Sequence, residues 1–304
     1  MSRAVIVESF GGPEVLELRE VPEPHAGPGE VRVRVTAAGL NPMDWLLSSS
    51  PEVANAFGFT LPSGFGYDLA GVVDEIGEGV AGFAAGDRVY GGALGRAVAD
   101  YTVVRPEAGQ LLHTPAGISD VVASTLLIGG RTAAAALNAI GLRAGDTVLI
   151  GGAAGGVGVF AVQLAKLAGA TVIGTGSEGT FDFLRELGAA PVAYGTGLAD
   201  RVRALGGVTA ATALVGTETA EVALALGVPP ERISTIAAGP NPPGGVRATG
   251  GVDAPPDALD RITEAIAAGK LVVPIAATFT LEQIRDAVTL QRGGHVHGKV
   301  VVTP

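Results

Sequence analysis

The stretch that most constrains this chain is "VLIGGAAGGVGVFAVQLAKLAGATVIGTGS", Val148 to Ser177. An apolar run of strand character ends in a cluster of glycines. A helical run follows as far as Gly169, and a second strand closes the segment. Strand, glycine turn, helix and strand within about 30 residues is the order that a dinucleotide-phosphate cradle requires. Residues 153–158 read A-A-G-G-V-G, the pattern G-x-G-x-x-G with alanine in first place. Gly155 lets the backbone approach a pyrophosphate, and Gly158 lets the helix lie close to the strand. Free N–H groups at the helix start, around Ala154, Gly156 and Val157, then hold the phosphates. The alternative is a tight turn with no ligand; the intact strand–turn–helix–strand order favours the cradle. The helix is expected to turn Val159, Leu164 and Ala165 inward and Gln163 and Lys166 outward.

The end of the second strand bears on which dinucleotide binds. An NAD site usually offers Asp or Glu there to the ribose hydroxyls. This chain has Gly174, Thr175, Gly176 and Ser177. The missing acid leaves room for a 2′-phosphate, and the hydroxyls of Thr175 and Ser177 can donate to it, which favours NADPH. Glu178 nearby, and the lack of any Arg or Lys before Arg185, pull the other way.

The rest of the chain sorts into two textures. "RAVIVES" and "EVRVRVTAAG" read as strands, and Pro22, Pro24, Pro28 and Gly29 mark the loop between them. From about residue 122 strands alternate with helices, which argues a parallel sheet. The helix in "PDALDRITEAIAAGKL" and the strands of "LVVPIAATFT" and "HGKVVVTP" return to the first texture. The expected organisation is an α/β domain over residues 123–252, inserted into a β-rich domain of residues 1–122 and 253–304.

Composition excludes several functions. Thirty acidic against 20 basic residues give a net charge of −10, with no basic run, which disfavours a nucleic-acid partner. Zero cysteines exclude disulfides and thiolate metal sites. The longest apolar run, Val148 to Val162, falls short of the ~18 residues of a spanning helix. Glu8 interrupts the N-terminal apolar stretch. A soluble cytoplasmic protein without a membrane partner is expected.

"AAGLNPMDW", "GYDLAGVV", "GDRVYG", "GGRTAAAAL" and the glycine-rich stretch together resemble the medium-chain dehydrogenase/reductase superfamily, most of all its zinc-free quinone oxidoreductase branch. The resemblance implies a GroES-like β-rich catalytic domain, a Rossmann doubly wound parallel-sheet domain, and an active site in the cleft between them. It implies a homodimer joined at Rossmann sheet edges, "RISTIAAG" being a candidate edge. Where zinc relatives carry a Cys and a His ligand, this chain has Asn41 and Tyr67, so no metal site is expected. Hydride transfer from NADPH to a quinone or similar electron-poor acceptor follows; the alternatives are an enoyl or enone reductase, or a non-catalytic NADPH-binding redox sensor. Asn41 and Asp44 match an Asn-x-x-Asp pattern, Asn41 as a donor to the acceptor oxygen and Asp44 as loop order, or both as turn-forming residues only. Tyr67 faces the acceptor, as proton donor or as filler. Trp45 lines the cleft or packs in the core. On the cofactor side the resemblance points to Thr132, Tyr194, Val215, Ile236, Ala237 and Lys299, the last as a source of positive charge for the phosphate. His295 and His297 read as surface histidines, and Arg185 and Arg201 as solvated helix faces.

Overall fold

The structure, a computed structural model, describes residues 1–106, 109–239 and 241–304. The chain opens with β1 (Ser2–Val7), β2 (Leu16–Val21) and β3 (Val31–Leu40), then the short helices α1 (Pro42–Ser49) and α2 (Pro51–Ala56). Strands β4 (Ser63–Gly64), β5 (Asp68–Ile76), β6 (Arg88–Gly92), β7 (Tyr101–Val104) and β8 (Leu111–His113) follow. After α3 (Asp120–Ala123) and α4 (Leu126–Ala139) the chain alternates. The series is β9 (Thr147–Gly151), α5 (Gly158–Leu167), β10 (Thr171–Gly176), α6 (Phe181–Glu186), β11 (Ala190–Ala193), α7 (Leu198–Ala204), β12 (Ala210–Ala213), α8 (Glu218–Ala225) and β13 (Ile233–Thr235). It ends with β14 (Arg247–Ala248), α9 (Ala258–Ala267), β15 (Ile275–Thr280), α10 (Ile284–Arg292) and β16 (Lys299–Thr303). Two compact units result: Met1–Leu127 with Ile275–Pro304, and Ile128–Pro274.

The first unit is antiparallel apart from the parallel β15–β16 pair. Its main sheet runs β15-β16-β3-β5-β6-β8, with β7 also pairing β3; a smaller sheet runs β2-β1-β4. Strand β3 shows how sequence sets burial. Val31, Val33 and Val35 point inward, while Arg32 and Arg34 alternate outward, the period-2 signature of a half-buried strand. From Ala37 to Leu40 every residue is buried, so this end of the strand is covered on both faces. Helix α10 buries Ile284, Ala287 and Val288, spaced i, i+3, i+4, against the same core as Val300 and Val302. Burial of each such valine or leucine contributes about 1.5–3 kcal/mol.

The second unit is an all-parallel sheet in the order β11-β10-β9-β12-β13-β14. The central strand β9 lies between β10 and β12, so the connection direction reverses there, and ligands bind at the carboxyl edge of such a switch point. Helix α5 packs tightly against β9 because Gly158 has no side chain. A Cβ there would fall 2.3 Å from the Gly152 carbonyl oxygen and 2.5 Å from that of Ala153.

Three sequence expectations differ from this arrangement. Residues 253–274, expected with the β-rich domain, lie in the second unit. The cause is α9, whose buried Ile262 and Leu259 lie against Gly130 of α4. Gln163 adds a second tie: it is buried rather than outward, and it exchanges two hydrogen bonds with the Val272 backbone at 2.8 and 2.9 Å. The candidate edge "RISTIAAG" is internal, since β13 is paired on both sides, and the two-residue β14 forms the edge.

Candidate active site

In the second unit, the sequence-predicted residues converge on one edge of the parallel sheet. Ala154, Gly155, Gly156 and Val157 follow β9; Thr175 and Ser177 lie at the end of β10; Tyr194 follows β11; Val215 follows β12; Ile236 and Ala237 follow β13. The turn is built by Gly152, at φ +70, and by a Gly155 N–H donated to the Gly152 carbonyl at 3.0 Å. The backbone N–H groups of Ala154, Gly156 and Val157 donate to nothing among the described residues. They sit at the start of the ten-residue α5, whose dipole favours an anion. The donors that a pyrophosphate requires are therefore present, and Gly155 leaves the approach open.

The cofactor-side residues divide by what they do locally. The Thr175 hydroxyl is buried and accepts the Gly152 N–H at 3.2 Å, so its first role is to pin the glycine turn to β10. Ser177 is half-buried and Tyr194 is 50% exposed. Val215 is 62% exposed, its side chain against Gly152. The Ile236 N–H is used by the Ala213 carbonyl and the Ala237 N–H by the Thr235 hydroxyl, which fixes the chain beyond β13. Thr132 is nearly buried in α4, beside Gly251.

Arg201, read from sequence as solvated surface, instead clasps the loop beyond β11. Its guanidinium donates to the carbonyl oxygens of Ala193, Tyr194, Gly195 and Thr196 at 2.7–3.2 Å. Because Ala193 pairs with Gly176, this places a cation beside the end of β10. No sequence pattern announces it, since the acceptors are main-chain atoms several residues away.

In the first unit the predicted residues form a buried knot. Asn41 starts α1, and the Asp44 carboxylate accepts the Asn41 backbone N–H at 2.7 Å. The Asn41 side-chain amide donates to Asp68 Oδ2 at 3.0 Å and to the Gly39 carbonyl at 3.3 Å. Asn41 Oδ1 accepts from Lys299 Nζ at 2.7 Å, and Lys299 also donates to the Leu40 carbonyl. All four side chains are buried. Burial pushes the Asp44 carboxyl up to about 8, with the Asn41 N–H acting against the shift and the Asp68 charge adding to it. Burial pulls the Lys299 ammonium below its ordinary value, opposed by the charges of Asp68 and Asp44. Among the described residues Asp44 Oδ1 has no hydrogen-bond partner.

This geometry changes two assignments. Asn41 is 3% exposed and both its amide donors and its carbonyl are engaged, so it orients the start of α1 rather than donating to an acceptor. Lys299 is 2% exposed with its ammonium in the same knot, so it is not a free charge for a cofactor phosphate. Tyr67 reaches a cavity of about 240 Å³ within the first unit, where its hydroxyl donates to Gln110 Oε1 at 2.9 Å. No sequence pattern points to Gln110. Trp45 packs on the core, its indole N–H bonded to Gln291 and its ring beneath Arg292. Among the described residues no three His, Asp or Glu side chains gather as a metal site, and no helix is long and apolar enough to cross a membrane.

A parallel sheet with a glycine cradle at its switch point, joined in one chain to an antiparallel β unit, is the build of a two-domain nucleotide-dependent dehydrogenase. Residues 27–181 match the family profile described as "Alcohol dehydrogenase GroES-like domain", and residues 187–302 match "Zinc-binding dehydrogenase". The chain belongs to the medium-chain dehydrogenase/reductase superfamily. It is 42% identical to a quinone oxidoreductase of Pseudomonas aeruginosa over 181 residues, 59% of this chain and 54% of that protein. It spans about half the length of the curated quinone oxidoreductases it matches. A solved quinone oxidoreductase from Coxiella burnetii is 31% identical, with a TM-score of 0.88 over 100% of this chain and 99% of that one. A mycobacterial protein solved in complex with NADPH is 27% identical, with a TM-score of 0.86 over 100% of both chains.

Proposed function

We propose that the chain is an NADPH-dependent, zinc-independent oxidoreductase that passes a hydride to a quinone or a comparably electron-poor acceptor. The observation that carries the reading is the row of undonated N–H groups at Ala154, Gly156 and Val157, at the carboxyl edge of the parallel sheet. These would hold the pyrophosphate, with Gly155 giving close approach and Val215, Ile236 and Ala237 lining the same edge. The absence of an acid from Gly174 to Gly176, the half-buried Ser177 and the Arg201 cation beside β10 support a 2′-phosphate, with Tyr194 as an exposed wall for the adenosine. Two carboxylates oppose it: Glu178, and Glu218, which accepts the Gly195 N–H at 2.9 Å in the loop that Arg201 clasps.

When bound, the dihydronicotinamide supplies the hydride. The protein's residues contribute orientation and protons. Thr132 would border the nicotinamide end, and Tyr67 would shield the acceptor oxygen or, by its hydroxyl, protonate it. Asn41, Asp44 and Lys299 set the ground for Tyr67 by fixing α1 against the start of β5. Asn41 and Tyr67, at the two positions where zinc relatives place ligands, both spend their polar atoms on protein partners, which supports a metal-free site.

The test is to titrate the protein with NADPH and NADH, then to assay NADPH oxidation with a quinone series beside an enone series. Tighter binding of NADPH and turnover with quinones are expected. Equal affinity for the two would remove the phosphate assignment, and turnover with enones alone would move the protein to the enone reductases. We also propose a homodimer in the cytoplasm, joined along the β14 edge, where Arg247 and Ala248 are exposed; sedimentation of a monomer would contradict the dimer.

A further inference from the structure

We propose that the first unit reads the charge of its ligand: the cavity at Tyr67 selects a small ring that carries an anionic oxygen substituent, and Arg96 is the residue that recognises it. The inference rests on the acceptor reading above and adds the chemical class of that acceptor.

The cavity of about 240 Å³ is of a size for one small ring system. Val103 and Val104 of β7, with Ala93 and Leu94 beyond β6, give it apolar walls. Its polar groups are few and differ in how far they are satisfied. Arg105 is tied to Glu30 at 3.2 Å, and the other Glu30 oxygen accepts the Gly27 N–H at 3.1 Å, so this pair is neutral and occupied. Arg96 also lines the cavity; its backbone N–H is held by the Gly66 and Ala93 carbonyls, but its guanidinium makes no ion pair and no hydrogen bond among the described residues. With Arg105 and Glu30 cancelling, the described lining has one uncompensated positive charge, in a chain whose net charge is −10. A guanidinium presents a planar fork of donors that matches a carboxylate or sulfonate.

A second polar group faces the same space. The Tyr67 hydroxyl donates to Gln110 Oε1, which turns the amide so that its Nε2 remains without a partner among the described residues. Two N–H donors are then available to a ring carbonyl, while Arg96 takes the charged substituent. Gly92 keeps the wall in place, since a Cβ there would fall 2.1 Å from Tyr67 Cε1 and 2.8 Å from Leu127 Cδ2. A neutral quinone of the same ring fills the apolar part and leaves Arg96 to water.

The test compares 1,4-naphthoquinone-2-sulfonate with unsubstituted 1,4-naphthoquinone, measured by calorimetric binding to the wild-type protein, to Arg96→Gln and to Arg203→Gln. Arg203 is exposed on α7, and its substitution removes the same unit of charge far along the sequence from the cavity residues. The wild type should bind the sulfonate about tenfold more tightly than the neutral ring, the scale of one charge-assisted contact. Arg96→Gln should abolish that preference and leave the neutral ring unchanged, whereas Arg203→Gln should keep it. Equal affinities in the wild type, or a preference that survives Arg96→Gln or falls equally in Arg203→Gln, would overturn the proposal. Because binding is read without turnover, failure of either ring to oxidise NADPH would count against the hydride-transfer reading alone.

Discussion

The two units build their candidate sites from opposite materials. The rim of the parallel sheet uses main-chain groups and small residues: undonated N–H groups after β9, a pinning threonine on β10 and ordered backbone after β13. The start of α1 uses ionisable side chains that are buried, Asp44, Asp68 and Lys299, knotted around the Asn41 amide. A main-chain site stays ready for an anion at little desolvation cost, because its donors face outward. A buried ionic knot gives rigidity at the cost of removing charge from water, so each member depends on the others.

That contrast predicts unequal sensitivity. The largest effect is expected for Lys299→Met, which leaves Asp68 and the Asn41 carbonyl without their cation and should destabilise the first unit by about 3–5 kcal/mol. Denaturant unfolding followed by the fluorescence of Trp45, which packs on that core, reads this directly; a loss below 1 kcal/mol would mean that the knot matters little. Gly158→Ala comes next. Its Cβ has no room against two carbonyl oxygens, and overpacking of this kind costs about 1–3 kcal/mol. NADPH affinity should fall in the same variant if the displaced turn carries the proposed phosphate donors.

Asp44 gives a prediction in pH. The folded carboxyl is raised to about 8 from an ordinary 3.8, so between those values the folded chain holds a proton that the unfolded chain has released. Stability contributed by this group is therefore full at low pH and is lost as pH rises through that window, at up to about 1.4 kcal/mol per pH unit. Asp44→Asn should flatten the decline between pH 5 and pH 8, measured by chemical unfolding at each. A slope unchanged by the substitution would assign the pH dependence elsewhere. The smallest effect is expected for Arg201→Gln, about a tenfold loss in NADPH affinity with little change for NADH. Equal losses for both would make the clasp purely structural.

The same contrast explains what the sequence reveals. Glycine spacing encodes a main-chain cradle, because close approach excludes a side chain, and so Gly155 and Gly158 announce the turn before any coordinates exist. Alternation along β3 and the strand–helix succession after residue 122 are local patterns, legible for the same reason. The knot joins Asn41 to Lys299 across most of the chain, and nothing local in "HGKVV" tells a buried lysine from one that faces a phosphate. Arg201 is hidden for a related reason: an arginine on an amphipathic helix looks solvated until its main-chain acceptors are seen. Composition groups residues 253–274 with the first texture, whereas α9 docks on the second unit by Leu259 and Ile262, contacts that composition does not announce.

The undonated amides after β9 are the proposed anchor for the dinucleotide. Amide hydrogen exchange of the wild-type protein with and without NADPH tests this most directly. Strong protection of residues 153–158 on adding NADPH, with the already buried Asn41–Asp44 segment unchanged, is the predicted result. Unaltered exchange across residues 153–158 at saturating NADPH would contradict it.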